Sequence, residues 1–324
     1  MRLYLLILLS RAALFLSCNK EKGIDLELIS IKISDSPVEK VVVKNDSLMF
    51  ACGGVRFYNG VLLSTVNAGT DWSLQSIFYN EKKVFDIYFV NDSLGFAGTE
   101  DVFIYKTTDG GHSWQAQWNT PTAYHEVHRP IVREIEFYND TIGYFVGGEN
   151  YQTGAIYMTQ DAGDNWVLDT LLHDLRSIEL TSNGKAIVAG HGYVGMTDGL
   201  TLNLTQLDHP DGNFVSVKKL NDSEFLVLDQ NGGLLKFTNS GAAWEQLINS
   251  NGLLSNRDFF CDLAVMGNTY LVSGDDGLLL LSYNRGESWD RISGAGDYKY
   301  NKIISFKGSF YIAREDGSMV VVKP

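Results

Sequence analysis

The feature that most restricts the fold of this chain is a repeat that runs through nearly all of its 324 residues. An apolar stretch, a short polar turn and a second apolar stretch recur seven times. The turns begin 38 to 48 residues apart, at Asn45, Asn91, Asn139, Asn183, Asn221, Gly267 and Lys307. A period in the mid-forties is typical of four-stranded blades set in a ring. The sequence therefore predicts an all-β protein, a seven-bladed β-propeller.

The turns of this repeat have the composition of tight hairpins. Four of them contain Asn-Asp-Ser or Asn-Asp-Thr, which is formally a glycosylation sequon. Asn, Asp and Gly also tolerate the left-handed backbone conformation that a two-residue hairpin needs. Naming the strands of each blade A to D from the centre outward, we interpret these segments as the A–B turns.

A second motif, Ser/Thr-x-Asp/Asn-x-Gly-x-x-Trp, follows in most units as the C–D turn. The acid or amide is expected to accept backbone hydrogen bonds, the glycine to adopt an angle closed to other residues, and the tryptophan to pack between sheets. One copy, 237–244, has Phe237 at the hydroxyl position. The residues assigned this structural role are Thr65, Asn67, Gly69, Trp72, Thr107, Asp109, Gly111, Trp114, Thr159, Asp161, Gly163, Trp166, Asn239, Gly241, Trp244, Ser282, Asn284, Gly286 and Trp289. The motif resembles the Asp-box, or BNR, repeat of propeller proteins.

One copy of this motif looks catalytic in isolation, because Asp109, His112 and Ser113 lie within five positions. The other copies have Asp, Ala or Glu where this copy has His112. A catalytic member of the motif would not be replaceable in this way. The motif is therefore predicted to staple a hairpin, and function is expected elsewhere.

Closure of the ring is predicted from the two ends of the repeat. The last unit ends after three strands, which would leave an open sheet edge. The segment 25–34 has strand-like alternation, so we expect it to supply the outer strand of blade 7 in a propeller domain spanning 25–324. A six-bladed ring with an additional hairpin is the alternative. In the seven-bladed arrangement Cys52 and Cys261 lie in blades 1 and 6, too far apart for a disulfide.

The first residues form a separate region. Residues 1–17 have a basic start and an apolar run, as in an export signal. The ending Phe-Leu-Ser-Cys resembles a lipobox, which implies cleavage before a lipidated Cys18 and a short tether over 18–24. Asn19 resembles an outer-membrane sorting signal, so we expect an outer-membrane lipoprotein in the envelope of a Gram-negative-type bacterium. A plain secretory signal is the alternative.

The charge balance excludes one class of partner. The formal net charge is −13, and loss of residues 1–17 removes two arginines and no acid, which leaves −15. Such a surface repels phosphate backbones, so no nucleic-acid partner is expected. Contact with the membrane is expected only through the lipid anchor, and the chain is expected to be a monomer.

The variable D–A and B–C connections of a propeller lie on the face opposite the stapled turns, where ligands are commonly held. Five of the six histidines fall in these connections, around blades 3 and 4. The predicted partner or ligand surface comprises Tyr124, His125, Glu126, His128, Arg129, Glu149, Tyr151, His173, Asp174, Arg176, His191, Tyr193 and His209. The alternative is that polar loops collect histidine by default. No spacing fixes three ligands on one rigid element, so neither a metal nor another cofactor is expected.

Two classes of glycosidase also use Asp-box propellers, and each requires features that can be sought in this sequence. Sialidases carry Asp-boxes but also need an arginine triad, commonly introduced by Arg-Ile-Pro, and the nearest text here is His-Arg-Pro-Ile-Val in blade 3. Glycosidases of the oligoxyloglucan type use a cleft between two propellers. A catalytic pair of carboxylates could still be formed by acidic residues in the turns, although acids are common in turns for conformational reasons. These residues are Glu100, Asp101, Asp275, Asp276 and Glu315.

Over about 25–324 the chain resembles the single-domain, seven-bladed Asp-box propellers of the photosystem II assembly and stability factor type. The resemblance implies a protein without catalytic activity that binds a membrane-protein partner through an arginine-rich patch. The loop arginines here are spread over the blades, so only the scaffold and the binding ring are expected to carry over. They are Arg56, Arg129, Arg176, Arg257 and Arg314. The sequence thus favours a non-catalytic scaffold for a protein or a glycan, with a glycosidase-like enzyme as the alternative.

Overall fold

The structure is a computed structural model that describes residues 23–75, 82–117, 131–248 and 259–324. In these ranges the strands form seven four-stranded antiparallel sheets, which confirms the predicted seven-bladed propeller. Each sheet runs A to D in chain order, except in blade 7. The predicted signal peptide, Cys18 and most of the tether lie outside the described residues.

The strands are bounded as follows. Blades 1 to 3 contain β2 (Val38–Val43), β3 (Met49–Val55), β4 (Asn59–Thr65), β5 (Ser73–Leu74), β6 (Val84–Phe89), β7 (Gly95–Thr99), β8 (Ile104–Thr107), β9 (Gln115–Gln117), β10 (Ile131–Phe137), β11 (Gly143–Glu149), β12 (Thr153–Thr159) and β13 (Val167–Leu171). Blades 4 to 6 contain β14 (Leu175–Leu180), β15 (Ala186–Gly190), β16 (Tyr193–Thr197), β17 (Leu204–Gln206), β18 (Phe214–Lys219), β19 (Phe225–Asp229), β20 (Gly233–Thr238), β21 (Ala243–Ile248), β22 (Phe260–Met266), β23 (Thr269–Gly274), β24 (Leu279–Ser282) and β25 (Asp290–Arg291). Blade 7 contains β26 (Tyr300–Phe306), β27 (Ser309–Arg314), β28 (Ser318–Val322) and β1 (Leu28–Lys32). Short 3₁₀ turns lie at Glu100–Val102 and Asn239–Gly241.

Blade 7 joins the two ends of the described chain, as predicted. Strand β1 pairs antiparallel with β28, with Leu28 opposite Val322 and Lys32 opposite Ser318. The predicted segment 25–34 is longer than the observed strand by three residues at its start and two at its end. This pairing covers the edge of β28 that would otherwise present unpaired backbone groups.

The hydrophobic core lies between neighbouring blades. Between blades 2 and 3, for example, Phe96 stacks on Phe137 at 4.8 Å between ring centroids, and Trp166 meets Phe145 edge-on at 4.8 Å. Such aromatic pairs add to the stabilisation that comes from burying apolar area. Cys52 lies fully buried in β3, Cys261 lies in β22, and both thiols are free, as the separation of blades 1 and 6 predicted.

The A–B turns are closed by side chains. In three of the four Asn-Asp-Ser/Thr copies the asparagine Oδ1 accepts hydrogen bonds from the backbone two and three residues on, as Asn45 does from Ser47 N (3.0 Å) and Leu48 N (2.8 Å), and Asn221 accepts the first of these. The left-handed conformation expected there occurs instead in the copies around Gly184, Gly267 and Lys307. An Asx turn satisfies the same backbone groups without a positive φ, so the asparagine-rich copies do not need one.

Four C–D turns form the expected staple. In 107–114, Asp109 Oδ1 accepts bonds from the Thr107 hydroxyl (2.8 Å) and Ser113 N (2.9 Å), while Gly111 N donates to the Thr107 hydroxyl (2.9 Å). The copies at 65–72, 159–166 and 282–289 repeat this pattern. Their glycines all have positive φ, between 80° and 91°. The ring of His112 contacts the carbonyl of Asp109 within the same turn, which fits the structural interpretation.

The copy at 237–244 departs from the staple, so the prediction was wrong for Asn239 and Trp244. Phe237 has no hydroxyl to organise the turn, and within the described residues the Asn239 side chain makes none of the staple bonds. The turn becomes a 3₁₀ segment with positive φ at Asn239, Ser240 and Gly241. Leu207 of blade 4 packs directly against Gly241, in space that a side chain at this position would occupy. Trp244 is 37% exposed.

Within the described ranges no helix has the length and apolar character needed to cross a bilayer.

Candidate functional site

The two faces of the ring are formed by different connections between the strands. The A–B turns and the stapled C–D turns form one face, called here the lower face, and the D–A and B–C connections form the upper face. The upper face carries eight of the predicted surface residues: Glu149, Tyr151, His173, Asp174, Arg176, His191, Tyr193 and His209. The other five, Tyr124, His125, Glu126, His128 and Arg129, lie outside the described residues, and their role stays a prediction.

A recess of about 230 Å³ opens where the central channel meets the upper face. It is formed largely by β-bulges, because the A strands of blades 1 to 6 each shift register by one residue near their start. The extra residue in each strand lines the recess. The lining residues are Glu39, Phe85, Arg133, Tyr151, Arg176, Val215, Gln230, Phe260, Cys261, Lys299, Asn301 and Lys302. This set is called the upper recess below.

The upper recess is cationic. Arg133, Arg176, Lys299 and Lys302 line it, and among the described residues Glu39 is the one acid that does so. Burial alone would raise the pKa of Glu39, but Lys83, Lys299 and Lys302 outweigh that effect and lower it, so the carboxylate stays ionised. The recess therefore attracts anionic groups.

Asp174 organises the two arginines from beneath. Its carboxylate is 1% exposed, and Oδ2 lies 3.2 Å from Arg176 Nε and 3.9 Å from an Nη atom of Arg133. Arg176 also donates to the side chain of Gln230 at 3.3 Å. Burial lowers the pKa of Arg133, and its Nε makes no hydrogen bond to the described residues. Since Asp174 neutralises at most one guanidinium, the pair retains positive charge.

The three predicted histidines that the structure describes sit beside the recess rather than in it. His173 packs on Tyr193 at 5.0 Å between ring centroids, and His209 packs edge-on against Phe214 at 5.4 Å. Tyr193 is only 5% exposed and belongs to the core of blade 4. His191 lies 4.9 Å from the ring of Tyr151.

Tyr151 is the predicted aromatic that reaches the recess. It is 54% exposed, and the guanidinium of Arg176 lies 5.4 Å from its ring centroid. Of the predicted set, Tyr151 and Arg176 line the recess and Asp174 supports it. Sequence reasoning missed Arg133, Lys299 and Lys302. The available signal was a charged residue near the start of an otherwise apolar A strand.

Below the recess, polar side chains tie each blade to the next. Asp86 Oδ2 accepts a bond from Ile135 N (2.8 Å), and Glu134 Oε2 accepts one from Ile178 N (3.0 Å). On the far side of the ring, Asp262 Oδ2 accepts a bond from Ile303 N (2.8 Å). These carboxylates satisfy backbone groups of the adjacent inner strand, which is a structural role.

Lysines balance these acids in the channel. Lys40 lies 2.6 Å from Asp86, and Lys302 lies 3.3 Å from Glu134. Burial alone would raise the pKa of Glu134, but the ammonium groups of Lys302, Lys218 and Lys40 and the Ser177 hydrogen bond hold it at about 2. This charged layer also borders a lower cavity of about 430 Å³ with the apolar walls Val42, Val43, Tyr88, Phe89 and Ile304.

The turn carboxylates considered for hydrolysis do not converge on the recess. Glu100 accepts bonds from Arg56 Nε (2.7 Å) and Phe57 N (3.1 Å), and Asp101 pairs with Lys82 at 2.6 Å. Asp275, Asp276 and Glu315 belong to blades 6 and 7 and do not line the recess either. Among the described residues no group of three His, Cys, Asp or Glu side chains is placed to hold a metal ion.

The fold and the site together define a class: a single-ring, seven-bladed propeller with a cationic recess at the mouth of its channel. No family model and no curated protein matches the sequence. Solved structures do match, at identities that establish the fold alone. A structure of YCF48 bound to a D1 peptide is 18% identical, with a TM-score of 0.75, over 93% of this chain and 97% of that one.

YCF48 from Cyanidioschyzon merolae gives 15% identity and a TM-score of 0.72, over 92% of this chain and 99% of that one. An ancestral GH74 enzyme gives 14% identity and a TM-score of 0.65, but the match covers only 45% of that larger chain. This chain therefore has the fold of the YCF48 propellers.

Proposed function

We propose that this protein is a non-catalytic scaffold that binds a protein partner through its upper face. The observation that carries the proposal is the upper recess, which is lined by four cations and one acid and whose two arginines share the single carboxylate of Asp174. An acid–base pair for hydrolysis would require two carboxylates facing one cleft, and the upper recess is lined by one. An acidic segment of a partner complements the charge of this site.

Similarity of fold supports the same conclusion. Two structures that match nearly end to end are YCF48 propellers, and one of them holds a peptide. The glycosidase neighbour matches over less than half of its own chain. A glycan partner stays the alternative for the binding role.

We also propose that the protein acts in the cell envelope, exported by residues 1–17 and anchored by lipid at Cys18. The proposal rests on the apolar run followed by Cys18 in the sequence. Metabolic labelling with a palmitate analogue, followed by membrane fractionation, tests it. Label and membrane association should both be lost in Cys18→Ser, and labelling of that variant would contradict the proposal.

The binding role is tested by crosslinking and affinity purification from the native envelope. The Arg133→Gln/Arg176→Gln variant should recover the partner at least about tenfold less well than the wild type, because each lost charge-assisted contact costs about 1.5–3 kcal/mol. Arg285→Gln removes a surface arginine on the lower face, where Nε donates to the Asn268 side chain, and should leave recovery of the partner unchanged. Recovery of no protein, together with release of sugar from polysaccharides, would refute the proposal.

A further inference from the structure

The B–C turn of blade 1 holds two aromatic side chains in solvent beside the upper recess. Phe57 is 68% exposed and Tyr58 is 78% exposed. Phe57 also has a φ of 59°, a left-handed conformation that bulky residues rarely adopt. A large apolar residue is thus held exposed in an unfavourable backbone conformation. We call this pair the aromatic tip.

A buried carboxylate fixes the tip. Glu100 of blade 2 is 1% exposed, and it accepts one bond from Phe57 N (3.1 Å) and another from Arg56 Nε (2.7 Å). Arg56 also reaches Glu149 of blade 3 at 3.4 Å. The turn of blade 1 is therefore latched to two other blades.

The base of the turn is fixed as well. Asn59 Oδ1 accepts a bond from Val55 N (2.9 Å), and Asn59 Nδ2 donates to the Ser36 hydroxyl (2.9 Å). The tip is thus preorganised, so a partner that buries it loses little conformational entropy on binding. Rigid exposed aromatic side chains beside an arginine have the character of binding hot spots.

The tip is linked to the cationic site. Glu149, which accepts the bond from Arg56, lies two residues before Tyr151, and Tyr151 lines the upper recess. The acids nearest the tip, Glu100 and Glu149, are occupied by Arg56. A ligand that covers the tip therefore meets an apolar surface at one end and the charge of Arg133 and Arg176 at the other.

We propose that the aromatic tip is a second contact of the partner-binding face, and that the partner segment carries an apolar side chain a few residues from an acidic one. The proposal rests on the proposed function and names the chemistry of that partner. Charge complementarity selects the acid for the recess, and the exposed aromatic area selects the apolar side chain for the tip. Glu100 acts as a positioning residue, through Phe57 and Arg56.

Selection of phage-displayed random peptides on the purified protein provides the probe. Enriched peptides should combine Asp or Glu with Leu, Ile, Phe or Trp a few positions apart. Phe57→Ser/Tyr58→Ser should weaken their binding by at least about tenfold, as expected when hot-spot aromatics are truncated. Val66→Ser/Leu74→Ser is the matched control, since it removes two exposed apolar side chains of blade 1 (74% and 69% exposed) outside the B–C turn.

A further variant separates positioning from contact. Glu100→Gln keeps the shape of the side chain and removes its charge, so the tip should loosen while its aromatic rings remain. Hydrogen exchange at the Phe57 amide should accelerate, and peptide affinity should fall by less than in the double serine variant. An unchanged thermal midpoint shows that the ring is intact in each variant.

The outcomes distinguish the two proposals. If peptides bind, and Arg133→Gln/Arg176→Gln weakens them while the tip variant does not, the proposed function stands and the tip proposal is refuted. If no peptide is enriched, both proposals fail. Tip-dependent binding to vesicles of anionic phospholipid, or to an oligosaccharide array, would also overturn the proposal that this surface binds a protein.

Discussion

Replacing Glu134 by glutamine tests whether the inner carboxylates hold the ring together. Glu134 is 4% exposed, and it accepts hydrogen bonds from the Ser177 hydroxyl and from Ile178 N of the next blade. Lys302 and Lys218 face it at 3.3 Å and 3.9 Å. Glutamine preserves the shape and one acceptor, so the change removes mainly the charge.

The magnitude follows from the pKa. Neighbouring lysines hold the pKa of Glu134 at about 2, against 4.5 when the group is unperturbed. That difference corresponds to a contribution of about 3 kcal/mol to the free energy of unfolding at neutral pH. Because the folded pKa is depressed, this contribution is present above about pH 4.5 and is lost as the pH falls toward about 2. Glu134→Gln should therefore unfold about 3 kcal/mol more easily at pH 7, with a smaller difference at pH 3.

Urea unfolding followed by tryptophan fluorescence at both pH values measures this difference. Glu245→Gln is the matched control, because Glu245 is exposed on the outer strand β21. It should shift the free energy of unfolding by no more than about 0.5 kcal/mol. If Glu134→Gln is as stable as the wild type at pH 7, or equally destabilised at both pH values, the reasoning from charge is refuted.

Three further predictions concern the staple, the thiols and ring closure. Thr107→Val removes the hydroxyl that Gly111 N bonds and should cost about 1–2 kcal/mol by thermal unfolding, whereas Thr238→Val in the unstapled copy should cost less than about 0.5 kcal/mol. Burial raises the pKa of the fully buried Cys52, so iodoacetamide at pH 8 should label it, by mass spectrometry, only after unfolding, whereas Cys261, which lines the upper recess and whose pKa is also raised by burial, should be labelled slowly in the folded protein. Deleting 23–34 exposes the edge of blade 7 and should produce soluble oligomers on size-exclusion chromatography with light scattering; a well-behaved monomer would contradict this.

The ring could be predicted from the sequence because each blade is local. The four strands of a blade lie within about one period of the repeat, and turn residues such as Asn91 and Gly111 mark where the chain reverses. The pairing of β1 with β28 could also be predicted from the sequence, because a unit with three strands needs a fourth. The copy that ends at Trp244 is the exception, because Phe237 lacks the hydroxyl that organises the turn. The motif alone does not show how the turn changes when that hydroxyl is missing.

The recess could not be predicted in the same way, because its residues come together only when the ring closes. Arg133 and Lys299 belong to blade 3 and to the connection before blade 7, and nothing near either in sequence marks them as neighbours across a channel. The position of Arg133 also depends on a bulge, of the kind that turns one residue of each A strand in blades 1 to 6 toward the channel. The latch between Arg56 and Glu149 likewise spans 93 positions.

The pairing of β1 with β28 also sets an order of events during synthesis. The first strand of the ring to be made pairs with the last, across nearly the whole described chain. Until β28 emerges, β1 has no partner strand and the newly made blades cannot form a closed circle. Contacts this distant in sequence form late and slowly, which leaves an open sheet edge exposed in the meantime.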